Sequence, residues 1–371
     1  MSSLGALLPA WRYHLESSFT EVGDYFLSLG LGFLLSCVAV RLRLARRGPK
    51  LMLVSGNALA CGAFLLLALS TPPAPSAWRL ICVFGIGASA GLLNAGMFQA
   101  VSPAYGHDAA VTTNRAGAFF GLGCLVTPLL VSGVYYVYTV PSILVLLALL
   151  PGFAAGFFAR SPLPPARVFP PSILSAITRA AKDPGMLLFG LMLFVQFGNE
   201  WSIAGWLPLF LTRRLGISPE MSLMLLVLYW AILLAGRLAT PWVIRRMNPR
   251  SLATIAISSA LLGLIVLAST NNRFGAIMGI VFVSAGFAPI YPLAVRKIWQ
   301  RSPDYDLPLY SGLFSLAAVG AFLAPWLLGY VAESWGIQAV MIVPMIGACV
   351  VFLLMLLIWL EAKLSGTPAV T

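Results

Sequence analysis

QFGNEWSIAGWLP, residues Gln196 to Pro208, sets a Gln, an Asn and a Glu inside a run that is otherwise apolar from Gly185 to Leu211. A helix crosses the hydrocarbon of a bilayer with about 20 mostly apolar residues, and this run is long enough to do so. Glu200 then falls near mid-membrane. A charge there costs about 3 kcal/mol on insertion scales, so the carboxylate must face a polar cavity, find a partner or be protonated. Gln196 and Glu200 are four residues apart and share one helical face, with Asn199 beside that stripe. The other ten acidic residues of the chain read as loop or helix-end positions.

The rest of the 371 residues agree with a membrane setting. Apolar residues make up 60% and charged residues 9%, with a mean hydropathy of +0.93. A soluble domain carries about a quarter charged residues. Between residues 21 and 361 the pattern predicts eleven spanning helices, near 21–42, 50–70, 77–101, 113–137, 139–159, 185–212, 219–244, 250–270, 274–298, 308–332 and 337–361. Strands of a membrane barrel would alternate polar and apolar residues, and these runs do not. The fold class is therefore an all-α polytopic membrane protein.

The net charge of +12 follows membrane topology. With the N-terminus outside, 18 Lys and Arg fall on inner loops and inner helix ends, against 5 on the outer side. That bias puts the C-terminus in the cytoplasm and leaves no nucleic-acid footprint to explain. The five Cys lie in apolar spans without paired spacing and read as small hydrophobes, neither disulfides nor metal ligands. No Walker sequence and no Ser/His/Asp arrangement is present, so neither an ATP-driven pump nor an enzyme is expected. No cofactor is implied.

RSPLPPARVFPPSILSAITRAAKDP, residues Arg160 to Pro184, is rich in Pro and basic residues and reads as a linker. It divides the chain into an N-terminal bundle over 1–160, a linker over 161–184 and a C-terminal bundle over 185–371. The halves repeat. RRGPK from Arg46 matches RRMNPR from Arg245 at an offset of 199, and Pro128 matches Pro325 at 197. Repeats of this kind build secondary transporters, with the solute site between the halves near mid-membrane. Carrying the offset back from Pro208 lands on Pro9, so WLP aligns with LLP near the start of the chain. The expectation is a twelve-helix plan whose first helix is largely missing; a true eleven-span protein is the alternative.

Three stretches then resemble the major facilitator superfamily, over essentially the whole chain: GNEWSIAGWLPLFL from Gly198, GIGASAGLLN from Gly85 and GFAPIYPLAV from Gly286. Within it the chain is most similar to the fucose-permease-like sugar–proton symporters. The resemblance implies two pseudo-symmetric bundles working by alternating access around one central site. Departures limit what it implies. The superfamily's inner-loop Asp position holds Ala45, although Arg46, Gly48 and Lys50 keep the basic, turning character. Ala90 stands where the subgroup pattern has a Glu, four residues before Asn94. Fucose–proton symport is therefore not carried over.

The candidate solute-binding residues are Glu200, Asn199, Gln196, Asn94, Tyr291 and Trp230. Hydrogen-bonding groups on one face suit hydroxyls, aromatic rings suit the apolar face of a sugar, and a carboxyl at the site of Glu200 suits proton coupling. Trp206 reads equally as a ligand contact or as a residue of the interfacial aromatic belt. Tyr291, between Pro289 and Pro292, marks a helix break. Arg46, Arg47, Arg237, Arg245 and Arg246 are assigned to the inner loops and gate. Arg237 is expected about 9 Å nearer the cytoplasm than Glu200 by rise per residue, too far for a direct salt bridge. The leading function is secondary transport of a small polar organic solute, a sugar among the candidates, with protons as a candidate co-substrate, by a monomer in the cell membrane. Efflux of amphipathic compounds and a transport-inactive sensor or scaffold stay open.

Overall fold

The computed structural model describes residues 2–14, 18–44, 47–69, 75–105, 109–163, 183–301 and 307–364. These form helices and turns, with no strand among them. In chain order the helices are α1 (Ser2–His14), α2 (Phe19–Ala39), α3 (Pro49–Ala68), α4 (Ser76–Tyr105), α5 (Ala109–Val134) and α6 (Val140–Arg160). They continue as α7 (Pro184–Leu215), α8 (Pro219–Val243), α9 (Pro249–Ser269), α10 (Arg273–Phe287), α11 (Ile290–Arg301), α12 (Leu307–Trp335) and α13 (Ile342–Leu364). Eleven spans are long and apolar enough to cross a membrane, α10 and α11 together forming one of them. The first half and the second half build two helical bundles of matching plan.

Local chemistry sets the helix ends. Asp183 caps α7 by accepting from the amides of Gly185 and Met186, and Ser218 and Asn248 cap α8 and α9 in the same way. Pro follows at the first position of each of these helices, where its missing N–H costs nothing. The expected break at Tyr291 is present: α10 ends at Phe287 and α11 begins at Ile290. Pro292 has no amide to offer the carbonyl four residues back, and its ring crowds that carbonyl.

α1 covers 13 residues, about 20 Å of rise and less than a bilayer core. It packs against α7, with Gly5 on the backbone of Ala204 and Gly205. Leu4, Ala6, Leu7 and Leu8 are buried in that contact.

Contacts between the halves join α2 to α12, α5 to α8 and α1 to α7. We call the side holding the end of α6 and the start of α7 the linker face, and the opposite side the far face. The far-face half of the α2–α12 contact is tight. The Phe19 amide donates to Glu333 Oε2 at 2.8 Å, and Asp24 Oδ1 accepts from Trp326 Nε1 and from the Tyr330 hydroxyl, each at 3.2 Å. Gly23 and Gly329 let the two backbones touch; a Cβ on Gly23 would lie 2.7 Å from the Trp326 carbonyl. Deeper in, Phe26 stacks on Trp206, and Phe33 meets Phe322 with centroids 5.3 Å apart.

Toward the linker face the packing changes. One stripe of α4 is buried at Arg79 and Val83, then exposed at Ala90, Asn94 and Met97. These positions share a helical face, so the change is one of depth. On the far side the two halves are in contact, and the α4 stripe is exposed nearer the linker face.

Candidate functional site

Glu200 lies on α7 and is 2% exposed. Its carboxylate pairs with Arg237 of α8, with Nη2 and Oε2 2.5 Å apart. The other carboxylate oxygen accepts from Gln196 Nε2 at 3.0 Å, and the Tyr229 hydroxyl donates to the Glu200 backbone carbonyl at 3.2 Å. The expectation that Arg237 is out of reach is thus corrected. Side chains on a helix lean toward its N-terminus. α7 starts at the linker face and α8 at the far face, so Glu200 leans toward the linker face while Arg237 leans away from it. Rise per residue separates the two Cα atoms along the membrane; the opposite tilts and the length of the Arg side chain close that gap. Arg237 therefore lies in direct contact with Glu200, at the depth of that carboxylate.

An aromatic wall surrounds the pair. The Arg237 guanidinium lies 5.2 Å from the centroid of Tyr291, which meets Phe197 edge-on at 5.8 Å. Trp201 and Trp230 have centroids 5.3 Å apart, and Tyr229 sits against Trp230 at 5.4 Å. The N-terminal half closes on this wall through α5. Phe120 meets Trp201 edge-on at 5.9 Å, and Gly117 faces Tyr291. The site therefore lies between the bundles, as a carrier requires.

Burying an ion pair seldom stabilises a fold, because desolvation offsets the Coulomb attraction. The pair also leaves neighbours unsatisfied. Gln196 Oε1, Trp230 Nε1 and Arg237 Nε are buried without a hydrogen-bond partner. Most buried polar atoms in native proteins have one. Such atoms are concentrated here around the ion pair and its neighbouring aromatic rings.

The remaining expected residues are distributed as follows. Gln196, Tyr291 and Trp230 gather around Glu200. Asn199 turns away from it: a Cβ on Gly347 of α13 would collide with the Asn199 side-chain amide, which places Asn199 inside the C-terminal bundle. The 100° step from Glu200 to Asn199 is enough to carry it off the central face. Asn94 is exposed on the α4 stripe and makes no contact with the pair. Arg47, Arg245 and Arg246 are exposed at the linker face, and Arg46 lies outside the described residues. No described contact joins Arg245 or Arg246 to the other half; Arg246 instead lies on the Trp242 ring at 4.0 Å.

Trp206 is neither a ligand contact nor a belt residue. It is fully buried, donates from Nε1 to the Pro325 carbonyl at 2.9 Å and packs on Phe26 and Phe19. It seals the interface between the halves. All five cysteines are free thiols; Cys82 and Cys124 are buried, Cys37 and Cys61 half-buried and Cys349 exposed, so the reading of all five as buried hydrophobes holds for two of them. Reading the sequence missed Phe120 and Phe197. Phe197 is four residues before Trp201 on the same face, a signal open to inspection. Phe120 lies between Gly117 and Gly121, a setting that reads as helix packing until α5 is seen beside α7.

Taken together, the spans, the paired bundles and a polar site between them define a membrane carrier. Sequence comparison is in agreement: the profile of the Major Facilitator Superfamily matches residues 1–317. The chain belongs to that family and is an integral, multi-pass transporter of small solutes. An uncharacterised MFS-type transporter of Yersinia pestis is 22% identical over 344 residues, covering 90% of this chain and 85% of that one. Among solved structures, the fucose:proton symporter of E. coli superposes with a TM-score of 0.63 at 16% identity, covering 96% of this chain and 95% of its own. A nucleoside transporter superposes with a TM-score of 0.73 at 15% identity, covering 95% and 94%.

Proposed function

We propose that this chain carries a small polar organic solute with a ring, a sugar or a sugar-bearing molecule, by alternating access, and that a proton on Glu200 accompanies it. The observation behind this reading is the Glu200–Arg237 pair with its unsatisfied neighbours, set against aromatic rings between the bundles. Hydroxyls would satisfy Gln196 Oε1, Trp230 Nε1 and Arg237 Nε, while a ring would rest against Trp201, Trp230 or Tyr291. The pair is neutral as a whole, which favours a neutral guest over an ion. The fold neighbours named for fucose and for nucleosides support a sugar-bearing solute, since both molecules contain one.

A proton on Glu200 cancels the charge that holds Arg237. Arg237 is then free to turn its donors to the solute, and its release loosens α8 from α7. Proton and solute thus act on the same contact, which is what coupling requires. On the charge bias of the loops the linker face is cytoplasmic, so the far face is the outer one. The domain plan of two bundles joined by residues 161–184 is the frame in which they rock.

The test is uptake by the reconstituted chain from a panel of sugars and nucleosides, with and without a pH gradient. The expected result is uptake of at least one panel member that rises with an inward proton gradient. Glu200→Gln should bind the solute but lose the response to the gradient. Gradient-driven uptake that survives in Glu200→Gln would refute the coupling role. Export of amphipathic dyes without uptake of any panel member would replace the solute assignment.

A further inference from the structure

The linker face of the C-terminal half carries five cations that pair with no described carboxylate. Arg245 and Arg246 occupy the α8–α9 turn, Arg250 the first turn of α9, and Arg296 and Lys297 the end of α11. α9 packs against α11, and Lys297 lies within repulsive range of both Arg296 and Arg250. Two described carboxylates on this face, Asp183 and Glu361, are both taken by Arg301. Its guanidinium donates to Asp183 at 2.9 and 2.7 Å and to Glu361 at 2.8 and 2.7 Å. No described carboxylate pairs with the five cations. Asp304 and Asp306 lie outside the described residues.

The cluster borders a surface that faces lipid. Met224, Leu238 and Trp242 are 42%, 59% and 55% exposed, and they lie on one face of α8 along its whole length. That face points away from Tyr229, Trp230 and Arg237, the side turned to the central site. Trp242 sits at its linker end, where an indole marks the headgroup level of a bilayer. Arg246 lies flat on that ring. Uncompensated cations, an interfacial Trp and an apolar stripe meeting at one depth are the parts of an anionic headgroup site.

We infer that the α8–α9 turn, the start of α9 and the end of α11 bind the headgroup of an anionic phospholipid, whose acyl chains lie along the exposed stripe of α8. The phosphate meets Arg246, Arg250 and Lys297, and the chains meet Leu238 and Trp242. This assignment is independent of the solute and of the direction of transport.

The test uses the full chain in phosphatidylcholine vesicles containing a minor fraction of brominated phosphatidylglycerol or brominated phosphatidylcholine. Subtracting the emission of Trp242→Phe from that of the unaltered chain isolates Trp242. Brominated phosphatidylglycerol should quench this signal at a lower membrane fraction than brominated phosphatidylcholine. The variant Arg246→Gln/Arg250→Gln/Lys297→Gln should lower the affinity for the anionic lipid by on the order of 100-fold, from about 1 kcal/mol per cation. Equal quenching by the two lipids would overturn the proposal; so would a preference that the triple variant retains. Loss of the preference on adding inorganic phosphate at constant ionic strength would assign the cations to a soluble anion instead.

Discussion

Glu200 and Arg237 balance one another's charge in a buried setting. Replacing one partner strands the other in a buried setting, at a cost of about 3–5 kcal/mol. Glu200→Ala and Arg237→Ala should each lower the thermal unfolding midpoint in detergent markedly, and Glu200→Ala/Arg237→Ala should lower it by less than the two together. A double variant as unstable as the sum of the singles would mean that the two residues act independently. The sequence shows Glu200 at once, as the one acid in the middle of a span. It does not show Arg237 as its partner, since rise per residue counts Cα positions and omits the direction in which a side chain leaves its helix. Asn199 illustrates the same point from the other side. Adjacent to Glu200 in the chain, it faces α13 and not the site.

At the level of helices, the closest approach within the N-terminal half is that of α2 to α4. Gly32 and Gly87 place backbone against backbone, Gly32 on the Phe84 carbonyl and Gly87 on the Leu29 carbonyl. Even a Cβ at Gly87 would force the helices apart, because the opposing atoms belong to a backbone that cannot rotate away. Gly87→Val should cost about 1–3 kcal/mol by overpacking, read as a lower unfolding midpoint. A similar substitution at Gly62, which has open space around it, should leave the midpoint unchanged. Small residues in these spans were legible as packing positions from the sequence. Which of them bear on backbone was not, because that depends on how the helices cross.

For the molecule as a whole, the alternating access proposed above requires the far-side contacts between the halves to open. The Asp24 and Glu333 contacts between α2 and α12 must then break together. Hydrogen bonds to charged groups contribute about 1.5–3 kcal/mol each. Asp24→Asn/Glu333→Gln should therefore shift the population toward a far-side-open state by roughly 10-fold or more. A Phe26→Cys reporter in a background without the native cysteines would detect the shift. Its labelling by an impermeant maleimide added at the far side should accelerate in the double variant. Unchanged labelling would place the barrier elsewhere, at the Phe19–Trp206 contact first.

Composition, span length and the repeat of RRGPK in RRMNPR determined by themselves that this is a helical membrane protein of two matching halves. Hydrocarbon imposes that legibility: every span must satisfy its own backbone and present apolar side chains, so class and spacing are written along the chain. The repeat pointed to the start of the chain as the counterpart of the opening stretch; that α1 packs on α7 through Gly5 came only from the structure. Only the tertiary structure decided which face of α7 looks inward, that Arg237 reaches Glu200, that Phe120 of α5 completes the aromatic wall, and that Trp206 closes the far face. Those contacts join residues tens to hundreds of positions apart. They depend on helix tilt, rotation and side-chain direction, which packing against neighbours sets and hydropathy leaves open.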